Sequence, residues 1–224
     1  MSDNPIRCWQ TDDPIYLAYH DEEWGRPVCD ERGLYERLCL EGFQSGLSWL
    51  TILRKRDAFR AAFEGFDPER VARFGAKDVG RLLADASIVR HRGKIEAAIG
   101  NARATLALRA EGEPLHELVW SHAPPGGRVP RSAGDWTATT RESVALSKRL
   151  KAAGFRFVGP TTVYAAMQAC GVVNDHFVDC FVRAEVEAER RASVLADPLS
   201  SRYPRKGGGP ALETSSTGSG GTSS

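Results

Sequence analysis

No run in this chain approaches the ~20 consecutive apolar residues that a membrane-spanning helix needs, so an integral helical membrane protein is not expected. The opening stretch, Met1 to Gln10, lacks the apolar segment of a secretory leader. With both signals missing, a soluble cytoplasmic protein is the default expectation. Cysteine is scarce as well. The five thiols, Cys8, Cys29, Cys39, Cys170 and Cys180, are odd in number and widely spread. That argues against a disulfide framework and for a metal site or buried free thiols. Charge of one sign is not in excess either. The formal net charge of +1 argues neither for nor against a nucleic-acid partner, so any attraction to phosphate must come from local clusters. Three are candidates: Arg54-Lys55-Arg56, Arg90-His91-Arg92 with Lys94, and Lys148-Arg149 with Lys151. Each reads equally well as a solvated helix face.

Sustained period-2 alternation is also missing, as is any internal repeat, which excludes the usual signs of a sheet or a solenoid. What remains is a chain of 224 residues, 42% hydrophobic and 26% charged, enough for one domain with a sizeable core. Leu34, Tyr35, Leu38 and Cys39 recur at helical spacing, and Gly42 and Gly46 then suggest a break, with one helix ending near Glu41 and another covering roughly 48–63. Asp67-Pro68 predicts a short helix with Asp67 as N-cap. Helical patterns continue over about 77–86, 94–110, 114–122 and 142–153, separated by a Gly- and Pro-rich loop over 123–140. The fold class is all-α. Residues 1–182 are expected to form a single domain. Residues 183–224 form a polar extension, helical to about Leu195 and disordered past Pro198.

Two pairs of potential metal ligands lie at opposite ends of that domain: Cys8 and His20, then His176 and Cys180. The second pair, H-x3-C, would share a helical face one turn apart. Two histidines and two cysteines suit a closed, tetrahedral, structural zinc site. The residues alone leave open that Cys8 is a buried thiol and His20 a hydrogen-bonded histidine.

Several long motifs then fall in one order. They are Cys8-Trp9; the run Asp13-Pro14-Ile15-Tyr16-Leu17-Ala18-Tyr19-His20-Asp21-Glu22-Glu23-Trp24-Gly25; and Leu40-Glu41-Gly42-Phe43-Gln44-Ser45-Gly46-Leu47-Ser48-Trp49. Ile88-Val89-Arg90-His91-Arg92-Gly93-Lys94-Ile95 follows, then Gly154-Phe155-Arg156-Phe157-Val158-Gly159-Pro160-Thr161-Thr162, and finally Asn174-Asp175-His176. From about Arg7 to Cys180 the chain resembles the 3-methyladenine DNA glycosylase I family. The resemblance implies a helix-hairpin-helix fold, one structural Zn2+ on Cys8, His20, His176 and Cys180, and hydrolysis of the N-glycosidic bond of 3-methyladenine in double-stranded DNA. No cofactor would take part in the chemistry, and a monomer is the default.

Site residues follow from the same match. Tyr16, Tyr19, Trp9 and Trp49 are the aromatics of the implied base pocket, although composition alone would place each in the core. Glu41 is the candidate catalytic acid. A carboxylate near the C-terminal end of a helix is disfavoured by the helix dipole by roughly 0.3–1 kcal/mol, which invites a functional reason; the resemblance implies that it hydrogen-bonds the extruded base. Gly159 and Thr161 belong to a hairpin whose backbone N–H groups suit a DNA phosphate. Gly46 and Leu47 form a candidate wedge for the gap left by a flipped nucleotide, with burial of Leu47 as the competing reading. Asp175 reads either as a catalytic aspartate or as an orienter of His176, and the second is favoured. A lesion-binding module without catalysis is the principal alternative. A zinc hydrolase is disfavoured, because four protein ligands leave no position for a water.

Overall fold

The computed structural model of the chain describes residues 5–126 and 129–196. The expectation of disorder past Pro198 falls outside them. Among the described residues there is no strand, and no helix is long and apolar enough to cross a membrane. The helices in chain order are α1 (Pro14–Glu22), α2 (Glu31–Gln44), α3 (Trp49–Ala62), α4 (Pro68–Val71), α5 (Ala76–Ala84), α6 (Arg92–Ala110), α7 (Leu115–Trp120), α8 (Arg141–Ala152), α9 (Pro160–Ala169) and α10 (Arg183–Ala196).

Their starts are written in capping residues. Asp13 accepts from the amides of Ile15 and Tyr16, with Pro14 at the first helical position. Asp30, Ser48, Asp67 and Thr140 do the same for α2, α3, α4 and α8. At the end of α8, Gly154 takes a φ of +95°, and its neighbour Phe155 donates back to the Leu150 carbonyl. That left-handed cap turns the chain into α9.

Helix α2 runs through the middle, with α3, α6, α7 and α9 packed around it. Every residue from Leu34 to Phe43 is buried. The helix continues to Gln44 rather than ending near Glu41. Gly42 does not break it: a Cβ there would stand 3.2 Å from the Cβ of Phe157. The glycine serves close approach of the α8–α9 turn, and the helix pattern carries on past it.

The H-x3-C pair is not helical. The Phe177 amide donates to the Cys8 sulfur and the Val178 amide to the Pro130 carbonyl, so these donors are unavailable to a helical ladder. The segment is an extended strap closed by a turn, and α10 begins only after it. Residues 183–196, assigned to the extension, start as structure continuous with the domain. Val186 is fully buried, and Arg190 donates to the carbonyls of Gly171 and Val172.

A buried acid in an aromatic nest, beside a Cys and His cluster

Helix α1 brings Tyr16 and Tyr19 to one side of α2, and the N-cap Ser48 turns α3 so that Trp49 meets them. Ring centroids run Trp9 to Tyr16 at 5.1 Å, Tyr16 to Tyr19 at 6.3 Å and Tyr19 to Trp49 at 5.4 Å. All four aromatics expected in the pocket are thus assembled. Tyr16 and Trp9 are half-buried, while Tyr19 and Trp49 are buried.

Glu41 faces this nest from α2 and is only 4% exposed. Its Oε2 has no hydrogen-bond partner, and neither do the indole nitrogens of Trp9 and Trp49 nor Nη1 of Arg37. Orphaned buried polar atoms are uncommon and costly. Among the described residues, all of them belong to residues around one nest. Burial pushes Glu41 up to about 8, with Arg37 one turn earlier on α2 pulling the other way.

Arg37 lies over the Tyr19 ring, with Cζ 5.7 Å from its centroid, and donates to Glu23 at 2.7 Å. Arg56 of α3 holds the same Glu23 carboxylate. Sequence reasoning missed this trio, although a cation four residues before Glu41 on a helix is a legible signal.

Trp9 joins the nest to a second cluster, edge-on to His20 with centroids 4.6 Å apart. Cys8, His20, His176 and Cys180 are all buried, and one ligand atom from each lies within 4.8 Å of the others. The sulfurs of Cys8 and Cys180 both sit 3.4 Å from His176 Nδ1, and Cys180 Sγ sits 3.5 Å from His20 Nε2. Each ring's other nitrogen has its own partner. His20 Nδ1 meets Asp21 at 2.8 Å, and Arg7 steadies that carboxylate. His176 Nε2 meets the Trp24 carbonyl at 2.8 Å. Soft sulfur and imidazole donors converge, with the outer nitrogens fixed, so the residues fit a tetrahedral metal of the zinc type. The hydrogen bond between the two thiols lowers Cys180 and raises Cys8, so one thiolate is favoured at this cluster.

Asp175 is therefore not the orienter of His176; Asp21 and the Trp24 carbonyl are the groups on the two rings. Asp175 is buried and accepts from the Tyr164 hydroxyl and from Gln168 Nε2.

The remaining expected residues lie along one edge. Leu47 is exposed on the loop after α2, where Gly46 takes a φ of +83°. Gly159 caps α9 and Thr161 is exposed in its first turn. Lys94 and Asn101 of α6 tie these two parts together. Lys94 Nζ donates to the carbonyls of Phe43 and Ser45, and Asn101 exchanges two hydrogen bonds with the backbone of Arg156. Neither was singled out for this role from the sequence. The cluster Arg54-Lys55-Arg56 is spent internally, on Asp13, the Ala86 and Ser87 carbonyls, and Glu23. Arg90, Lys148 and Lys151 face solvent.

The described residues form a helical scaffold that sets four aromatics around one buried carboxyl without a hydrogen-bond partner. The chain belongs to the methyladenine glycosylase family, whose sequence profile matches residues 9–183. It is 52% identical over 177 residues to DNA-3-methyladenine glycosylase 1 of Escherichia coli (strain K12), across 78% of this chain and 95% of that protein. A crystal structure of 3-methyladenine DNA glycosylase I superimposes with a TM-score of 0.76 at 51% identity, covering 79% of this chain and 98% of the other. The Staphylococcus aureus 3-methyladenine DNA glycosylase I, solved for the structural basis of 3-methyladenine recognition, gives a TM-score of 0.75 at 39% identity, over 77% and 93% of the two chains.

Proposed function

We propose that this protein is a monofunctional DNA-3-methyladenine glycosylase, which hydrolyses the N-glycosidic bond of a 3-methyladenine extruded from duplex DNA. The observation that carries the reading is Glu41, buried and unpartnered within the four-aromatic nest, in a chain 52% identical to a named glycosylase. A base within a duplex is out of reach, so it must leave the stack. Tyr16, Tyr19, Trp9 and Trp49 offer the faces and edges that enclose it. Methylation at N3 makes the purine cationic and leaves its amino group a donor. An ionised Glu41 accepts a hydrogen bond from that amino group and matches the charge.

The C1′–N bond breaks with its electron pair going to the base, which departs neutral; water forms the new C1′–O bond and its surplus proton passes to solvent. Holding the base and favouring the oxocarbenium-like transition state asks little more of the protein. No general base is assigned. The helix α8, the turn to Gly159 and helix α9 read as a helix-hairpin-helix whose backbone amides meet a phosphate without reading sequence. Leu47 reads as the wedge. Lys94 and Asn101 fix wedge and hairpin to the same helix.

Cys8, His20, His176 and Cys180 would hold one Zn2+. Bound there, it supplies no reaction chemistry and ties the start of the domain to its end. The folded protein, loaded with metal and incubated with methylated duplex DNA, should yield free 3-methyladenine and an equal number of abasic sites. Binding of the methylated duplex without base release would replace this reading by that of a lesion-binding module.

A further inference from the structure

Glu41 and Arg37 lie one turn apart on α2, both buried, and each keeps one polar atom without a partner. Arg37 is not a lone charge. Its Nη2 donates to Glu23 Oε2 at 2.7 Å, and Arg56 grips the same carboxylate, with Nη2 2.7 Å from Oε1. Burial pushes Glu23 up, but the hydrogen bonds from Arg56 and Arg37 outweigh it and bring the carboxyl down to about 2. Glu23 is therefore an anion at any working pH. Two guanidiniums share it, which leaves one positive charge in surplus. Arg37 is the inner end of the trio, against Tyr19.

Among the described residues no other cation bears on Glu41. From α1 it is faced by Tyr16 and Tyr19, and from beyond the end of α9 by Cys170. Burial raises both phenols above their ordinary value and pushes the thiol up to about 12. These three stay neutral through the range in which Glu41 titrates. The balancing anion for the surplus charge is Glu41 itself.

We infer that Arg37 is a positioning residue for Glu41: the surplus charge of the Arg56–Glu23–Arg37 trio holds the buried carboxyl within reach of ionisation at neutral pH, ready to accept from the amino group of an incoming base. Its purpose rests on the glycosylase reading. The ionisation does not, and it can be measured without turnover.

The decisive experiment follows the Glu41 side-chain carboxyl by 13C NMR across a pH titration of the full chain, assigned by its loss in Glu41→Gln. Arg37→Met should raise the midpoint by about one pH unit or more, equivalent to a tenfold loss of the anion. Arg37→Lys should return it close to wild type. Arg56→Met should move it in the same direction, because Glu23 then neutralises Arg37 completely. Arg56 contacts Glu23 rather than the nest, so that variant also carries the test if Arg37→Met fails to fold. A midpoint that stays put in both methionine variants overturns the role of Arg37. The acid limb of kcat/KM should follow the midpoint. A midpoint that moves while the limb does not would uphold the charge effect and count instead against Glu41 as the base acceptor.

Discussion

Glu41 places a nearly fully buried carboxyl without a hydrogen-bond partner in the fold, and this should be visible as a stability cost. Its carboxyl titrates near 8 in the fold against an ordinary value of 4.5. A raised carboxyl pKa means that the native state holds a proton that the unfolded chain gives up. Stability is therefore full below about 4.5 and declines as pH rises toward 8. Glu41→Gln should be more stable than wild type by about 1–3 kcal/mol at pH 8, with the advantage vanishing near pH 4. Thermal melts at both pH values check this; an equal gap at both would contradict it. Glu23 works in the opposite sense, since its lowered carboxyl contributes stability above about 4.5 that is lost as pH falls toward 2. Glu41 was legible in the sequence because of its motif and its poor place against the helix dipole. Its ionisation partner was not, because pairing with Glu23 and Arg56 crosses from α2 to the end of α1 and to α3, and no local pattern records that contact.

Among the elements, the edge formed by the loop after α2, helix α6 and the α8–α9 turn depends on two side chains. Asn101 satisfies both the amide and the carbonyl of Arg156, at 2.8 and 3.1 Å. Asn101→Ala should cost about 1–3 kcal/mol, since it leaves backbone groups unpaired. It should also weaken DNA binding, read by anisotropy on a duplex, more than it weakens binding of free 3-methyladenine. Equal losses would mean that the turn has no separate role. Gly171 is a second sensitive point. Its φ is +70°, and an added Cβ would meet the Gly25 carbonyl at 2.4 Å. Gly171→Ala should destabilise by at least about 2 kcal/mol in urea unfolding. Most helices were readable from apolar spacing and caps, with ends shifted by a few residues. Helix α1 carried its own signal in Asp13-Pro14, which the apolar pattern alone does not report. The strap at 174–180 imitates a helix in spacing, because its fold is set by the Cys8 sulfur and Pro130, both far away in sequence.

At the scale of the molecule, the two ends of the domain meet at Cys8, His20, His176 and Cys180, with Trp9 passing from that cluster into the aromatic nest. A metal there would stabilise the fold by closing a very long loop. Removing it with a chelator should lower the melting temperature by more than about 10 °C, corresponding to a loss of at least ~3 kcal/mol. Cys180→Ser should reproduce the loss and empty the site by elemental analysis. A chelated protein that melts unchanged would argue for a hydrogen-bonded cluster instead. The four candidate ligands could be proposed from sequence only with the help of the family resemblance, because the spacing of Cys8 and His20 carries little information. The groups that orient the rings, Asp21 and the Trp24 carbonyl, needed the structure.

The central claim is that an acid enclosed by aromatics grips the methylated base and so releases it. Single-turnover release of 3-methyladenine from methylated duplex DNA, compared between wild type and a folded Glu41→Gln, tests it most directly. The account predicts release by the wild type and a rate lower by about 10- to 100-fold in the variant, the loss of one charge-assisted hydrogen bond. Equal rates in the two proteins would contradict it.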